Sequence, residues 1–256
     1  MDAVKDFNSL LSDLKSHRDS KTYSMYIPSQ QQESEFKPIT VTQQSDIISS
    51  LLVQERDANA YSYNKIINDI IQANSVSSSE EFRSFDRPAI LIQMRVNTIG
   101  SNIIVDSHDI NLSDIIPSFT LTDTELELLN SDQTYSNKGI TVNFKVPFLT
   151  YENQLATAAE NKWKDLEGED IITELFVIEL VKYITSISFD DQEIVFNDIT
   201  FSQKLEACNL LPMSHSRKIM EYVQRVKKIE DKFHSIDIDD TNVMIPLNTA
   251  LFSTGT

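Results

Sequence analysis

Residues 23–44 read YSMYIPSQQQESEFKPITVTQQ, and this stretch decides how the chain begins to fold. Met25 and Ile27, then Phe36 and Ile39, flank a polar middle rich in Gln and Glu. That pattern predicts strand, loop, strand, with an exposed loop over 30–35. Pro28 and Pro38 hold the chain extended and bar a helix across either position. Thr40 and Gln43 then form a capping box, in which the Thr hydroxyl takes an orphan backbone N–H and the Gln side chain reaches back. Ile47, Ile48, Leu51 and Leu52 follow at helical spacing, which predicts a helix over 41–54.

Outward from this start, a second helix is expected over 58–74. Tyr63, Ile66, Ile67, Ile70 and Ile71 line one of its faces. A Ser/Glu linker over 75–81 leads to a helix over 89–99 with Pro88 in its first turn, stopped at Gly100. Ile90, Leu91, Ile92, Met94 and Val96 make that helix apolar on most sides, so it should lie centrally. Two short strands around a polar turn are expected over 102–112, and Thr122 with Glu125 opens a short helix. Residues 131–138 read as a polar loop, and the alternation Ile140, Val142, Phe144, Val146 as a half-exposed strand.

The back half predicts a polar helix over 151–166 and a nearly all-apolar buried helix over 170–187. A hairpin follows near 187–196, and Thr200 with Gln203 forms a third capping box. A long helix over 213–233 carries Ile219, Tyr222, Val223, Val226, Ile229 and Phe233 on one seam. The expected class is α+β: mainly helical, with short β-hairpins (N-terminal, central, and near 187–196) and a long C-terminal helix. The expected organisation is an N-terminal arm over 1–22 and the hairpin with its helices over 23–100. A β-rich middle over 101–150, a helical part over 151–235 and an extended arm over 236–256 complete it.

The formal charge of the 256 residues is −17. Such a chain is repelled by bulk nucleic acid and by anionic membrane surfaces, so direct nucleic-acid binding is not expected. No run approaches the roughly 20 apolar residues of a membrane span. The N-terminal residues carry acids early and no apolar core of signal-peptide length. Cys208 is the one cysteine, set among Leu205, Leu210 and Leu211, and reads as a small buried hydrophobe. A soluble protein in a reducing interior is expected.

Catalytic chemistry finds little footing. His215 and His234 sit nineteen residues apart on one expected helix, roughly 28 Å at about 1.5 Å per residue, too far to share a metal. A calcium loop starting at Asp237 would need glycine and glutamate where Asn242 and Asn248 stand. The four glycines are too dispersed for a phosphate-cradling loop. Ser214-His215-Ser216 suits a helix N-cap better than a triad. The expectation is therefore no enzyme, no cofactor and no metal. Candidate protein contacts are Gln30, Gln31, Gln32 and Glu33 on the first hairpin. Arg217, Lys218, Arg225 and Lys228 are candidates on the last long helix, where six basic residues stand against three acidic ones. That face reads either as solvated and self-paired or as a docking surface for an acidic neighbour.

Several segments resemble a baseplate family of T-even-like contractile-tailed bacteriophages, usually described as hub subunits or hub assembly proteins. They are Ser24-Met-Tyr-Ile-Pro-Ser29, Phe36-Lys-Pro-Ile-Thr40 with Gln43-Gln44, and Glu174-Leu-Phe-Val-Ile-Glu-Leu-Val-Lys-Tyr-Ile184. Phe201-Ser202, Leu211-Pro212 and Lys227-Lys-Ile-Glu-Asp-Lys232 continue the match, while 100–161 carries no matching motif. The resemblance implies a structural or assembly role and other baseplate or tail proteins as partners, with oligomerisation inside an assembly compatible with it. It implies the host cytoplasm during assembly and the virion tail baseplate if the chain is retained. A different reading of the charge alone is an acidic module that sequesters a basic host or phage protein.

Overall fold

The computed structural model describes residues 2–57, 60–77, 81–163, 169–238, 241–247 and 249–252. Parts of the linker expected over 75–81, the last three residues of the helix expected over 151–166, and Asp239 and Asp240 lie outside the described residues. After helix α1 (Asp2–Asp19), strands β1 (Tyr23–Ile27) and β2 (Gln32–Phe36) form the expected hairpin, with Tyr23 opposite Phe36 and Ile27 opposite Gln32. The loop is shorter than expected. Residues 32–35 pair with β1, because Ser34 and Phe36 alternate inward while Gln32, Glu33 and Glu35 face solvent. Gln31 takes a positive φ of 52° to close the turn.

Helix α2 (Val41–Asp57) starts at the capping box: Gln43 N–H donates to Thr40 Oγ1 at 3.1 Å, and Thr40 N–H to Gln43 Oε1 at 2.9 Å. Helix α3 (Ala60–Asn74) buries Tyr63, Ile67, Ile70 and Ile71, with Ile66 partly covered. A 3₁₀ turn (Ser84–Asp86) leads into α4 (Arg87–Thr98), which is buried continuously from Arg87 to Arg95, as the centre of a fold requires.

Strands β3 (Asn102–Val105) and β4 (His108–Asn111) form the central hairpin, turning at Asp106 and Ser107, both at positive φ. Helix α5 (Asp123–Asn130) carries the second capping box. The expected polar loop over 131–138 is instead largely strand β5 (Gln133–Asn137), paired with β6 (Ile140–Phe144). Its half-exposed polar side chains hid it. Thr134 donates to Asn143 across the pair at 2.7 Å, and the Ser136 and Thr141 hydroxyls share a 2.7 Å bond. Lys138 and Gly139, both at positive φ, make the tight turn.

Helix α6 (Leu149–Trp163) precedes α7 (Glu169–Tyr183), which ends four residues earlier than the expected boundary of 187. The run Ile184-Thr-Ser-Ile-Ser-Phe189 alternates with period two and becomes β7 (Ile184–Phe189), paired with β8 (Gln192–Val195). The order β5-β6-β7-β8 makes one antiparallel sheet, so elements on both sides of residue 150 share it. Helix α8 (Phe201–Asn209) bears the third capping box.

Helix α9 (Met213–Glu230) follows Pro212 and passes into a 3₁₀ turn, Asp231–His234. Its expected seam is buried from Ile219 through Phe233. The last elements are hairpin β9 (Ser235–Ile238) with β10 (Thr241–Met244), then α10 (Thr249–Phe252). Here Leu251 and Phe252 are buried, and Gln44 of α2 donates to the Phe252 carbonyl at 2.6 Å. The fold is α+β and mainly helical, with short antiparallel strand pairs and a long C-terminal helix. One hydrophobic core runs from Met25 to Phe252.

Candidate interaction surfaces and the polar groups that position them

The hairpin is held by side chains that act as backbone partners. Gln93 on α4 accepts from Tyr26 N–H and donates to the Tyr26 carbonyl, both at 2.8 Å, so its amide serves as a strand neighbour for β1. Truncating it leaves two part-buried backbone groups unpaired. Gln93→Ala should destabilise the fold by roughly 2 kcal/mol, read from urea melts; a loss under about 0.5 kcal/mol would contradict that role.

Asp86 fixes the tip. Its carboxylate accepts from Ser29 N–H at 2.8 Å, Ser29 Oγ at 2.7 Å and Arg83 N–H at 2.8 Å. Asn130 of α5 donates to the Ser29 carbonyl at 3.0 Å from the other side. Burial pushes the Asp86 carboxyl up to about 6, against the pull of those hydrogen bonds and of Arg83. A folded value above the unfolded one means its stability contribution is full below about pH 4 and is lost as pH rises through 6. Urea melts from pH 4 to 7 should show that decline in the native chain and not in Asp86→Asn.

On this frame the four expected tip residues form one surface. Gln30 donates to the Glu81 carbonyl at 3.4 Å and accepts from Gln32 at 3.2 Å. Gln31 donates to the Leu121 carbonyl at 3.4 Å, and Glu33 accepts from Ser24 at 2.6 Å. Gln31, Gln32 and Glu33 remain exposed, with Gln32 and Glu33 on β2.

The second surface is α9. Arg217 and Lys218 pair with Glu221 at 3.3 Å and 2.8 Å. Arg225 and Lys228, one turn apart, are exposed and form no ion pair among the described residues. Thus half of the expected basic set is self-paired and half is open. Tyr222 donates to the Leu128 carbonyl at 3.2 Å, and Lys232 pairs with Glu125, so α5 stands between this helix and the hairpin tip.

Sequence reasoning missed a buried ionic centre where α3, α4, α6 and α7 meet. Glu152 pairs with Arg87, and Lys182 Nζ lies 2.7 Å from Glu152 Oε1. Asn68 accepts from Arg87 Nε at 2.9 Å and donates to Glu152 at 3.3 Å. Burial acts to raise the Glu152 carboxyl, yet Arg87 and Lys182 hold it below the usual value. Lys182, in turn, is held well above its ordinary value by Glu152 despite its burial. The available signal was Arg87 opening an otherwise apolar helix.

The nucleophile-like groups are engaged structurally. His215 Nε2 lies 3.1 Å from the Ile140 carbonyl and its Nδ1 3.4 Å from Ser214 Oγ. His234 Nδ1 lies 3.2 Å from the Ile245 carbonyl, and burial lowers its basicity. Cys208 is buried, its thiol pushed up to about 12 by burial. Among the described residues no group of three His, Cys, Asp or Glu side chains is placed to hold a metal. Nor is any described helix long and apolar enough to cross a membrane.

The architecture is a helical body presenting an anchored hairpin and a charged helix. The family model described as T4 bacteriophage base plate protein matches residues 20–238, which include both surfaces. The chain belongs to that family of phage baseplate proteins, whose place is the tail baseplate among other tail proteins. No curated protein and no solved structure matches it.

Proposed function

We propose that the chain is a hub-class subunit or hub assembly factor of the baseplate and that it works by binding other tail proteins, without catalysis. The observation that carries this reading is the family match over 20–238. The engagement of Cys208, His215 and His234 in packing and backbone bonds supports it. The contact surfaces are the tip, Gln30, Gln31, Gln32 and Glu33, and the α9 face, where Arg225 and Lys228 are open for acidic neighbours while Arg217 and Lys218 form its paired edge.

Capture of tail proteins from a phage-infected lysate by the purified chain tests the reading. The native chain should retain baseplate proteins. Gln31→Asp costs the fold under about 1 kcal/mol, because Gln31 is itself exposed, its bond to the Leu121 carbonyl is long at 3.4 Å, and Asp tolerates positive φ. It should nonetheless weaken capture, as should Arg225→Glu with Lys228→Glu. Capture of no tail protein by the native chain contradicts the reading. Unchanged capture by both variants removes these two surfaces from it. Mass spectrometry of purified virions then separates a retained subunit from an assembly factor.

A further inference from the structure

A cleft of about 550 Å³ opens where α6 begins, beside the start of β7 and the N-terminal half of α8. Val146, Pro147, Phe148 and Tyr183 give it apolar walls, and three basic residues, Lys145, Lys182 and Lys204, line it against one acidic residue, Glu81, in a chain of net charge −17. Two of these lysines are already matched: Lys145 lies 3.3 Å from Asp132 and Lys182 2.7 Å from Glu152.

Lys204 differs. It is only 8% exposed, its ammonium donates to Tyr151 Oη at 3.2 Å, and it sits 4.8 Å from the Tyr151 ring centre. No carboxylate pairs with it among the described residues. An ammonium carries three donors, so two remain for a ligand. Burial lowers its basicity, the mark of a cation held without a counter-charge. Tyr151 cannot supply that charge, since burial drives its hydroxyl further from ionisation. A buried cation without a partner destabilises the fold that holds it, whereas an arriving carboxylate would form a charge-assisted bond with it.

We propose that this cleft receives a carboxylate side chain, Asp or Glu, borne on an apolar segment of another baseplate protein, with Lys204 as its anchor. The volume suits one or two side chains rather than a folded surface, and the apolar walls suit the residues flanking the acid. The proposal rests on the reading that the chain works through protein contacts. It adds the chemistry of one partner segment.

The test titrates the full chain with acetyl-Phe-Glu-Phe-amide, acetyl-Phe-Gln-Phe-amide and acetate, followed by NMR shifts of the Tyr151 and Lys204 signals. The Glu peptide should bind at least tenfold more tightly than the Gln peptide or acetate. Lys204→Met should lose that tenfold preference. It should melt no lower than the native chain, because Met fills the place of the stem without a buried charge; a purely structural lysine would make the variant melt lower. Equal binding of the Glu and Gln peptides, no binding of either, or unchanged binding by Lys204→Met overturns the proposal. Acetate binding as tightly as the Glu peptide also overturns it, by marking a small-anion site. The peptide comparison needs only the native chain, so it stands if the variant fails to fold. A native chain that captures tail proteins but not the Glu peptide sinks the cleft alone; one that captures no tail protein sinks the wider reading.

Discussion

Phe36→Asp should leave the chain unable to fold in urea-free buffer. Phe36 is fully buried at the end of β2, its ring 5.5 Å from that of Phe82. Removing a buried phenyl ring costs about 3–5 kcal/mol. An unpaired carboxylate in its place adds a further desolvation penalty of several kcal/mol, even allowing for protonation. The sum is comparable to the roughly 5–15 kcal/mol by which a whole domain is stable. The position also joins two parts of the fold, since Phe36 forms a bridge to Ser75 after α3 and Lys37 N–H donates to the Asn74 carbonyl at 2.8 Å. Circular dichroism and size exclusion should show a collapsed or aggregated species, while Phe36→Leu should remain folded with a loss of about 1–2 kcal/mol. A soluble Phe36→Asp chain with native melting would remove β2 from the core.

Glu152→Gln should cost about 3–5 kcal/mol, because the neutral amide leaves Arg87 without its ion pair and Lys182 with only the more distant Glu179 at 3.8 Å. Size and shape barely change, so the loss reads charge rather than packing. The pH dependence gives a second check. A Glu152 carboxyl lowered in the folded state contributes stability that is present above its unfolded value of about 4.5 and is lost as pH falls further. The native chain should lose that contribution below pH 4.5 and Glu152→Gln should lack it. Replacing the trio together, Arg87→Met, Glu152→Leu and Lys182→Met, should restore most of the stability, since a well-packed apolar substitute carries no desolvation penalty. A Glu152→Gln chain within 1 kcal/mol of native would mean the centre is open to water.

Much of the fold was legible because its local signals are strong. Thr40 with Gln43, Thr122 with Glu125 and Thr200 with Gln203 each start a helix where the capping box stands. The α9 seam is buried as its spacing requires. Strand β5 was not legible, since Gln133-Thr-Tyr-Ser-Asn137 has no apolar alternation and is held by cross-strand hydroxyl and amide pairs with β6. The boundary between α7 and β7 was hidden inside a continuous apolar run, where helix and strand periods cannot be separated until a partner strand selects one.

The surfaces show the same division. The positions of Gln31 and Arg225 followed from polarity, but what anchors the tip did not. Asp86 and Gln93 reach Ser29 and Tyr26 from 57 and 67 residues away, and such pairings depend on tertiary approach alone. The cleft around Lys204 is likewise a product of packing, since one lysine in a helix that reads FSQKLEACN carries no local mark.

The most direct measurement is electron microscopy of tails from a host infected with phage lacking this gene, with the native chain supplied in trans as the control. Complete baseplates should be missing without the chain and return with it. Complete baseplates in its absence would contradict a structural and an assembly role alike.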